Sequence, residues 1–510
     1  MKKIQINLNP TVPSIPKFED KTQINVRYMV LSPYVSIHIY WDPKISEVVY
    51  EVEEPILNQE ETELLQKLEI YLREKINFNM TEEHKTKESL IDYIEEKSMS
   101  TIKELGIKVD DDLYQRIFYY LYRDFIGLNE AEPLIRDYFI EDIECNGAGE
   151  PIYIVHRVFR NIKTNIIFKS IEGLANFVEK LAQKTGRYIS YASPILDGSL
   201  PDGSRVNATY TKDITSKGPT FTIRKFTKVP WTPIQLVSFN SISPEMLAYF
   251  WLALEYNANI MIVGGTASGK TTLLNAIAFF IPPEKRVVSI EDTRELNLPR
   301  ENWLPSVVRS GMSSGGAGEI DMFSLLKSSF RQNPDYVIVG EVRGKEASVL
   351  FQGMASGHSS MSTLHADSVQ AIVNRLSTPP ISLSPTLINS LDIVAIQTHA
   401  IVGGHETRRL REIVEVQNVN TDGTFVTNTP FKWNPADDKF YSQSQSIFFK
   451  KISEKFGISL ENLIKEYERR KQLIHILHNQ KIIGYDEVQK VINEYSKTPK
   501  PVLNRLGISI

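Results

Sequence analysis

A glycine-rich turn that ends in lysine and threonine, GGTASGKT at 264–271, has the residue types needed to bind a triphosphate. Glycines let the turn wrap closely, so backbone N–H groups can point at phosphate oxygens. The flanking stretches ANIMIV and TLLNAIAFF predict a strand and a helix, whose positive N-terminal end adds to the anion site. Lys270 would reach the β- and γ-phosphates, and the Thr271 hydroxyl would bind Mg²⁺. The predicted nucleotide-binding residues are Gly264, Gly265, Thr266, Ala267, Ser268, Gly269, Lys270, Thr271 and Thr272.

Three carboxylates, Glu291, Asp292 and Glu295, follow the apolar stretch 287–290. In an open parallel sheet the ligand crevice lies outside the carboxyl ends of the strands, so a strand here would deliver these acids to the phosphates. Glu291 and Glu295 are candidates for positioning the attacking water, and Asp292 or Glu291 for holding Mg²⁺ through a bound water. The residues alone leave open the alternative of a solvated acidic turn.

A further apolar strand, DYVIVGEVRG at 335–344, carries Glu341 near its end. The corresponding strand of many phosphate-loop proteins, the Walker B strand, ends in an aspartate that holds Mg²⁺. Gly340 takes that place here, which moves the magnesium contacts to Thr271, to waters and to the acids described above. Glu341 is therefore the candidate general base, or the residue that orients the attacking water. A glutamate without a role at the edge of the sheet is the alternative.

Two histidines, His358 and His365, flank a short stretch of small residues in GHSSMSTLHA at 357–366. An imidazole can donate a hydrogen bond to a γ-phosphate oxygen and so respond to the loss of that phosphate on hydrolysis. Metal binding is the rival, but no third ligand is spaced nearby. His365 is a candidate catalytic residue, and His358 is a secondary candidate.

These stretches need a scaffold of alternating strands and helices. From residue 243 the pattern indicates a helix, an apolar strand, the glycine-rich turn, a second helix and further apolar strands, which is typical of a parallel sheet. The predicted fold class is α/β, with a C-terminal RecA-like P-loop NTPase domain built on a parallel-sheet core. An α+β N-terminal domain precedes it.

Composition and prolines predict the domain boundaries. Residues 1–25 are polar and contain three prolines, which predicts a mobile arm. Residues 26–224 mix strands with helices and form the predicted α+β domain. Two prolines interrupt the pattern at 225–243, the predicted linker. Residues 244–510 form the predicted ATPase domain, with a helical tail at about 446–510.

Charge and cysteine content exclude several classes of protein. The 510 residues include 58 Lys and Arg against 62 Asp and Glu, a net charge of −4, so no overall field would collect nucleic acid. Cys145 is the only cysteine, which excludes an internal disulfide and a cysteine-built zinc site. No apolar run reaches the roughly 18 to 20 residues of a membrane span, and the first residues lack the apolar core of a signal peptide. We therefore expect a cytoplasmic protein whose membrane contact is peripheral.

Taken in order, the four stretches resemble the Walker A, aspartate-box, Walker B and histidine-box motifs of the secretion-ATPase superfamily. That superfamily powers type II secretion, type IV pili and type IV secretion. The most specific part is LLKSSFRQNPDYVIVGEVRGKEA at 325–347, in which Arg331 falls at the family's R-Q-x-P-D position. Gly344 replaces the acidic residue common in bacterial pilus motors and resembles the archaeal and type IV secretion branches. The four-cysteine zinc module of the bacterial type II branch cannot be built from one cysteine.

Upstream, PILDGSLPDGSRVNAT and FTIRKF resemble N-terminal-domain motifs of the same family. The match implies that the N-terminal domain at 26–224 caps the nucleotide. Arg205 and Arg224 would approach the nucleotide from that domain as catalytic residues, with Arg331 and Arg343 as further candidates. A guanidinium supplied across a domain or subunit boundary stabilises charge in phosphoryl transfer, which is worth about 10³ to 10⁵ in rate. Each of the four arginines has the alternative of being a plain salt-bridge partner.

The early stretch YVSIHIYWDPKISEVVYEVEEP resembles archaeal members, including the archaellum motor ATPase. The resemblance implies a homohexameric motor that uses ATP and Mg²⁺ to drive a type IV pilus-like filament at the inner face of the cell membrane. Its implied partners are a polytopic membrane platform protein and accessory cytoplasmic motor proteins, with no nucleic acid. The alternatives are the ATPase of an adhesive or DNA-exchange pilus or of a secretion system, a nucleic-acid translocase, and a non-hydrolysing regulatory subunit.

Overall fold

The computed structural model describes residues 6, 7, 13, 15, 16, 18, 20–76, 87–227, 229–309, 318–420 and 424–508. The chain divides into two compact units, Met1–Phe226 and Thr227–Ile510. Most of the predicted arm, residues 1–25, lies outside the described residues.

The described strands of the first unit form one nine-stranded sheet. They are β1 Asn25–Leu31, β2 Val35–Asp42, β3 Glu47–Glu53, β4 Ile140–Cys145, β5 Pro151–His156, β6 Arg160–Ile167, β7 Ile195–Ser199, β8 Arg205–Thr209 and β9 Thr220–Arg224. Their order is β1-β2-β3-β6-β5-β4-β9-β8-β7, and neighbours are antiparallel except β3 with β6. In β2, Val35, Ile37 and Ile39 are buried while the residues between them are only partly buried, the alternation expected of a strand.

Helices accompany this sheet. Those of the described residues are α1 Gln59–Lys75, α2 Lys87–Glu104, α3 Asp111–Leu121, α4 Glu132–Arg136 and α5 Ile171–Lys184. The first, α1, begins with a capping box: the Asn58 side chain accepts the Glu61 N–H, and the Glu61 side chain accepts the Asn58 N–H. Leu65, Leu68 and Leu72 recur at helical spacing and are buried. A mostly antiparallel sheet with these helices confirms the predicted α+β class of the N-terminal region.

The described strands of the second unit also form a nine-stranded sheet. They are β10 Ile260–Gly264, β11 Val287–Glu291, β12 Trp303–Val307, β13 Tyr336–Val342, β14 Ser359–Leu364, β15 Ile393–Val402, β16 His405–Val419, β17 Phe425–Asn434 and β18 Lys439–Ser442. The neighbours β12-β11-β13-β14-β10-β15 are parallel, and β16, β17 and β18 extend the sheet antiparallel. Strands β10, β11 and β14 are buried throughout, as expected of parallel strands covered on both faces. The predicted α/β class with a parallel-sheet core is confirmed.

Helices cover this second sheet. Those of the described residues are α6 Pro233–Ser238, α7 Pro244–Glu255, α8 Lys270–Ala278, α9 Met322–Ser329, α10 Glu346–Ala355, α11 Val369–Ser377, α12 Pro385–Ile388, α13 Ile447–Phe456, α14 Leu460–Asn479, α15 Tyr485–Lys497 and α16 Pro499–Leu506. None of the helices that the structure describes combines the length and apolar content needed to cross a membrane.

The tail helices α13–α16 belong to the core of the second unit. Leu463 and Val488 are buried in the same apolar cluster as Ile260 of β10. Arg470 of α14 is buried, forms an ion pair with Glu255 of α7 and lies with its guanidinium 5.1 Å from the centre of a tryptophan ring on α7. A buried guanidinium is tolerated only with such partners, so this contact ties α14 to α7. The segment predicted as a tail is therefore an integral layer of the unit.

Part of the predicted linker is also anchored in the second unit. Helix α6 lies within 225–243 and is capped by Thr232, whose side chain accepts the Gln235 N–H in a capping box. The Thr232 hydroxyl donates to the carbonyl of Ile483, just before α15, at 3.1 Å. The Thr232 hydroxyl therefore ties the start of α6 to the connection between α14 and α15.

Candidate active site

One edge of the second sheet collects the side chains that the sequence marks for phosphate chemistry. Strand β14 lies between β10 and β13, and β11 lies on the far side of β13. All four strands are parallel, so their carboxyl ends meet at the same edge, with neighbouring strands about 4.8 Å apart. Strand β10 ends at Gly264, β11 ends at Glu291, β13 carries Glu341 near its end, and His365 follows β14.

The turn between β10 and α8 is shaped by one glycine without room for a side chain and by two residues with left-handed backbone. A Cβ at Gly264 would lie 2.4 Å from the Ser268 hydroxyl and 2.5 Å from the Gln397 carbonyl oxygen of β15. Ala267 and Gly269 are left-handed, with φ of 55° and 92°. Helix α8 begins after Gly269 without a side-chain cap, so its first N–H groups are available to a ligand. The cradle fits a phosphate group.

Lys270 joins this loop to the acids of the neighbouring strands. Its ammonium donates to the carbonyls of Gly264 and Gly265 at 3.1 and 2.9 Å. Burial lowers its pKa, and the charges of Glu341 and Glu295 oppose that shift. The lysine of the loop and these two carboxylates are therefore close enough to interact in one site. Thr271 and Thr272, in the first turn of α8, are half-buried.

Glu341 leaves the β-ladder at a bulge. Val339 pairs with Ser362 of β14, but the next pair is Val342 with Leu364, so β13 has one residue more than β14 in this interval. The Thr363 hydroxyl donates to the Gly340 carbonyl at 2.6 Å inside the bulge. A bulge changes the direction of a side chain, so Glu341 does not follow the regular alternation of side chains between the two faces of the sheet.

A hydrogen bond from Arg343 holds the Glu341 carboxylate. One guanidinium nitrogen donates to Glu341 Oε2 at 2.5 Å, and another lies 3.9 Å from Asp292 Oδ2. The hydrogen bond to Glu341 raises the pKa of Arg343. Arg343 therefore links the ends of β11 and β13, as a salt-bridge partner of the acids on both strands.

Glu291 is the buried acid of the site. Its Oε1 accepts the N–H groups of Glu295 and Leu296, both at 2.8 Å. Its Oε2 is buried and has no hydrogen-bond partner among the described residues. A Cβ at Gly340 would lie 3.1 Å from the Glu291 Cγ, so glycine at 340 makes room for this carboxylate beside β13. Burial raises the pKa of Glu291 to about 7 against the effect of the two N–H bonds.

In the protein without nucleotide or metal, Glu291 makes the fold less stable as the pH rises. The folded state keeps this proton up to about pH 7, whereas the unfolded state releases it from pH 4.5. The contribution of this group to the free energy of unfolding therefore falls by about 3 kcal/mol across that interval and is constant above it. Glu291→Gln removes the contribution, so the variant should gain stability relative to the wild type between pH 5 and 8.

Urea unfolding at several pH values, followed by tryptophan fluorescence, measures this difference. Four of the five tryptophans lie in the second unit, so the signal reports mainly on the unit that contains Glu291. Glu295→Gln is the matched control, because Glu295 is an exposed acid of the same loop. Parallel pH profiles for the wild type and Glu291→Gln would contradict the prediction.

The two histidines lie at opposite ends of β14. His365 is exposed directly after the strand, at the edge with the phosphate loop, and its carbonyl accepts a hydrogen bond from Arg375 at 2.8 Å. His358 precedes the six-residue strand, about 20 Å away along it. Its ring packs edge-on against Phe330, with ring centres 4.9 Å apart. Arg331 precedes β13 at that same far edge, so neither His358 nor Arg331 is brought to the phosphate loop within this chain.

Arg205 and Arg224 are direct cross-strand partners on β8 and β9 of the first unit. Arg205 pairs with Asp197 at 3.1 Å and Arg224 with Asp142 at 3.0 Å, and the two side chains are 39% and 68% exposed. Like charges directly opposite each other are destabilising, and the acids on the flanking strands offset that repulsion. The pair presents two guanidinium groups side by side, which suits an anion. Their approach to the nucleotide stays a prediction.

Arg408 of β16 is a site residue that the sequence reasoning missed. Its Nε donates to the Ala267 carbonyl in the phosphate loop at 2.8 Å. In the sequence it is one of three clustered arginines, Arg408, Arg409 and Arg411, in a stretch that matches no motif. This clustering was the only sign in the sequence that the stretch could bind an anion. The pairing of β16 with β15, which places Arg408 over the loop, cannot be deduced from local pattern.

A separate trio with metal-ligand spacing, His38, Glu51 and Glu53, lies on β2 and β3. A guanidinium nitrogen of Arg27 donates to Glu53 at 2.6 Å and lies 3.3 Å from the His38 Nδ1. This guanidinium already supplies the positive charge that a metal would bring. These three side chains therefore already have a cationic partner in Arg27.

Comparison with known proteins shows which sequences and structures this chain is similar to. Residues 127–423 match the family described as Type II/IV secretion system protein. An uncharacterized protein of Methanocaldococcus jannaschii is 38% identical over 392 residues, which is 76% of this chain and 70% of that protein. Type IV secretion system protein PtlH of Bordetella pertussis is 32% identical over 221 residues, 38% of this chain and 65% of PtlH. The X-ray structure of the Legionella pneumophila ATPase DotB is 16% identical with a TM-score of 0.40, covering 73% of this chain and 95% of that one.

Proposed function

The chain belongs to the type II/IV secretion system protein family, and on that premise we propose that it is a Mg²⁺-dependent ATP hydrolase that works as a motor subunit. The observation that carries the proposal is the position of the glycine-rich loop, which follows β10 at the same carboxyl edge of one parallel sheet as Glu291 and Glu341. A loop lysine beside carboxylates is the arrangement that phosphoryl transfer to water needs.

The loop and the first turn of α8 bind the phosphates of the nucleotide. The backbone N–H groups after Gly264 cradle the phosphates, and the Lys270 ammonium exchanges its carbonyl partners for phosphate oxygens. The Thr271 hydroxyl and the carboxylates of Glu291 and Asp292 are the hard oxygen donors that would hold Mg²⁺, directly or through water. The ion, when bound, neutralises charge on the phosphates.

Hydrolysis needs a group that receives a proton from water. As the water oxygen bonds to the γ-phosphorus, the bond to the β–γ bridging oxygen breaks and ADP leaves with its electron pair. Glu341 orients that water and takes its proton, and Arg343 sets the position of the Glu341 carboxylate. Arg205 and Arg224 stabilise the developing charge, and His365 responds to the loss of the γ-phosphate.

The test of this function is the Lys270→Ala variant. Without the ammonium, MgATP binding and phosphate release should both fall to background, because the phosphates lose their cationic partner in the loop. Lys285→Ala is the control, since Lys285 is a cation paired with Asp335 at 3.1 Å before β13. Phosphate release by Lys270→Ala at the wild-type rate would reject the proposal. A wild-type chain that binds nucleotide without turnover under all conditions would instead support the regulatory alternative.

At the level of the machine, we propose a homohexameric ring that drives assembly or rotation of an archaeal type IV pilus-like filament, the archaellum. The ring would lie peripherally on the inner face of the membrane, against a polytopic platform protein and accessory motor proteins. The match to an archaeal relative and to a type IV secretion protein supports this class of machine. An adhesive or DNA-exchange pilus or a secretion system is the alternative.

Stimulation of ATP turnover by lipid or by DNA distinguishes the membrane motor from a nucleic-acid translocase. ATPase activity should rise with lipid vesicles of archaeal polar lipids and should be indifferent to DNA. Stimulation by single-stranded or duplex DNA without a response to lipid would favour a nucleic-acid translocase.

A further inference from the structure

Arg408 belongs to β16, a strand that carries none of the recognised motifs, and its side chain contacts the phosphate loop. We propose that Arg408 is a positioning residue that keeps this loop in its nucleotide-binding conformation by holding the Ala267 carbonyl. The inference rests on the nucleotide binding proposed above and adds a residue that determines affinity.

The contact has two parts. The guanidinium Nε donates to the Ala267 carbonyl at 2.8 Å, a charge-assisted hydrogen bond. The Arg408 Cδ lies 3.4 Å from where a Cβ of Gly269 would be, so the aliphatic stem rests on the loop backbone. Arg408 therefore touches the loop on both sides of Ser268, directly before Lys270.

The loop needs such support because Ala267 has a conformation that alanine disfavours. Its φ of 55° is left-handed, which costs a non-glycine residue about 1 to 2 kcal/mol. A trans peptide also points its C=O and its N–H in opposite directions. Holding the Ala267 carbonyl therefore sets the direction of the Ser268 N–H, which donates to the Gly265 carbonyl at 3.4 Å and so closes the loop on itself.

A bulge in β16 brings Arg408 to this position. Ile396 of β15 pairs with Glu412, but Gln397 pairs with Leu410, so Arg411 is the extra residue. Gln397 also pairs with Gly264 of β10. Arg408 lies opposite His399, two residues beyond that point, level with the loop. Without the bulge, the side chains beyond it would face the other side of the sheet.

The neighbouring arginines have other partners. Arg409 is buried and makes two hydrogen bonds to Asp438, at 2.7 and 2.8 Å. Arg411 donates to the Asp367 carbonyl at 2.9 Å and to its neighbour Glu412. Among the three, Arg408 makes the contact to the phosphate loop, and Arg411 offers a matched comparison because it also donates to a backbone carbonyl.

Loss of the contact should weaken binding rather than chemistry. If the loop is in its nucleotide-binding conformation for only a fraction of the time, the apparent affinity is the intrinsic affinity multiplied by that fraction. A hydrogen bond from a charged group is strong enough to reduce that fraction about tenfold. ADP and ATP should be affected equally, because the loop cradles the phosphates that they share.

The experiment compares full-length Arg408→Gln and Arg411→Gln with the wild type. Fluorescent ADP titration should give a Kd about tenfold higher for Arg408→Gln and unchanged for Arg411→Gln. The KM for ATP should rise by the same factor, while kcat at saturating ATP stays the same. Equal effects of the two substitutions, or a lower kcat with unchanged Kd, would overturn the proposal.

A second variant keeps the test independent of general damage to the fold. Glycine adopts left-handed φ without penalty, so adding Ala267→Gly to Arg408→Gln should recover part of the lost ADP affinity. A double variant as weak as the single one would count against the proposed role. Because ADP binding is the readout, the result does not depend on hydrolysis: a wild type that binds ADP but never releases phosphate would reject the proposed ATPase activity and leave this inference standing.

Discussion

Glu341→Gln is expected to slow ATP turnover by about 10²- to 10⁴-fold while leaving the Kd for MgATP nearly unchanged. Glutamine has the same shape, and its carbonyl oxygen can still accept the hydrogen bond from Arg343 that the carboxylate accepts at 2.5 Å. It cannot take a proton from water. The loss should therefore appear in kcat and in single-turnover phosphate release, with nucleotide binding measured separately by fluorescence.

Asp335→Asn is the matched control for Glu341→Gln. Asp335 directly precedes β13, at the edge opposite the phosphate loop, where its carboxylate accepts hydrogen bonds from Lys285 and from the Arg286 N–H. Removing that charge tests whether any acid next to β13 affects turnover. Hydrolysis by Glu341→Gln at the normal rate would show that another acid is the base. Glu291 would be the next candidate, because its buried Oε2 has no hydrogen-bond partner in the part of the chain that the structure describes.

Arg205→Ala should lower turnover by about 10³-fold, the lower end of the effect of a guanidinium supplied to phosphoryl transfer. Arg224→Ala should act in the same direction, because the two side chains are cross-strand neighbours. Nucleotide affinity of the phosphate loop should change little, since the loop belongs to the other unit. Steady-state turnover and fluorescent-nucleotide binding, measured on the full chain, separate the two effects.

Lys217→Ala is the control for the arginine variants. Lys217 is an exposed cation of the same unit and pairs with Glu150 at 2.7 Å. Its removal changes the charge of the unit as much as Arg205→Ala does, without touching the arginine pair. If Arg205→Ala and Lys217→Ala are equally active, Arg205 is a plain salt-bridge partner of Asp197, which was the alternative for each arginine from the start.

Local pattern was enough to predict a phosphate loop at 264–271 and to determine the class of the fold. The strand, the turn and the helix around Lys270 are contiguous in sequence, and the turn owes its shape to glycines within eight residues. Alternating apolar strands and helices then imply a parallel sheet, whose carboxyl edge collects Glu291, Glu341 and His365 without further information. The resemblance to secretion ATPases rested on these same stretches and is confirmed by the family match over 127–423.

Tertiary structure decided what depends on register and on contacts between distant segments. The bulge that releases Glu341 requires β14 as a partner, and the bulge that places Arg408 requires β15. His358 could be assigned to the far edge only when the direction of β14 was known. The tail could be recognised as core only when Arg470 was seen against α7. Local propensity follows from neighbours along the chain, whereas register and long-range pairing are set by the packing of the whole unit.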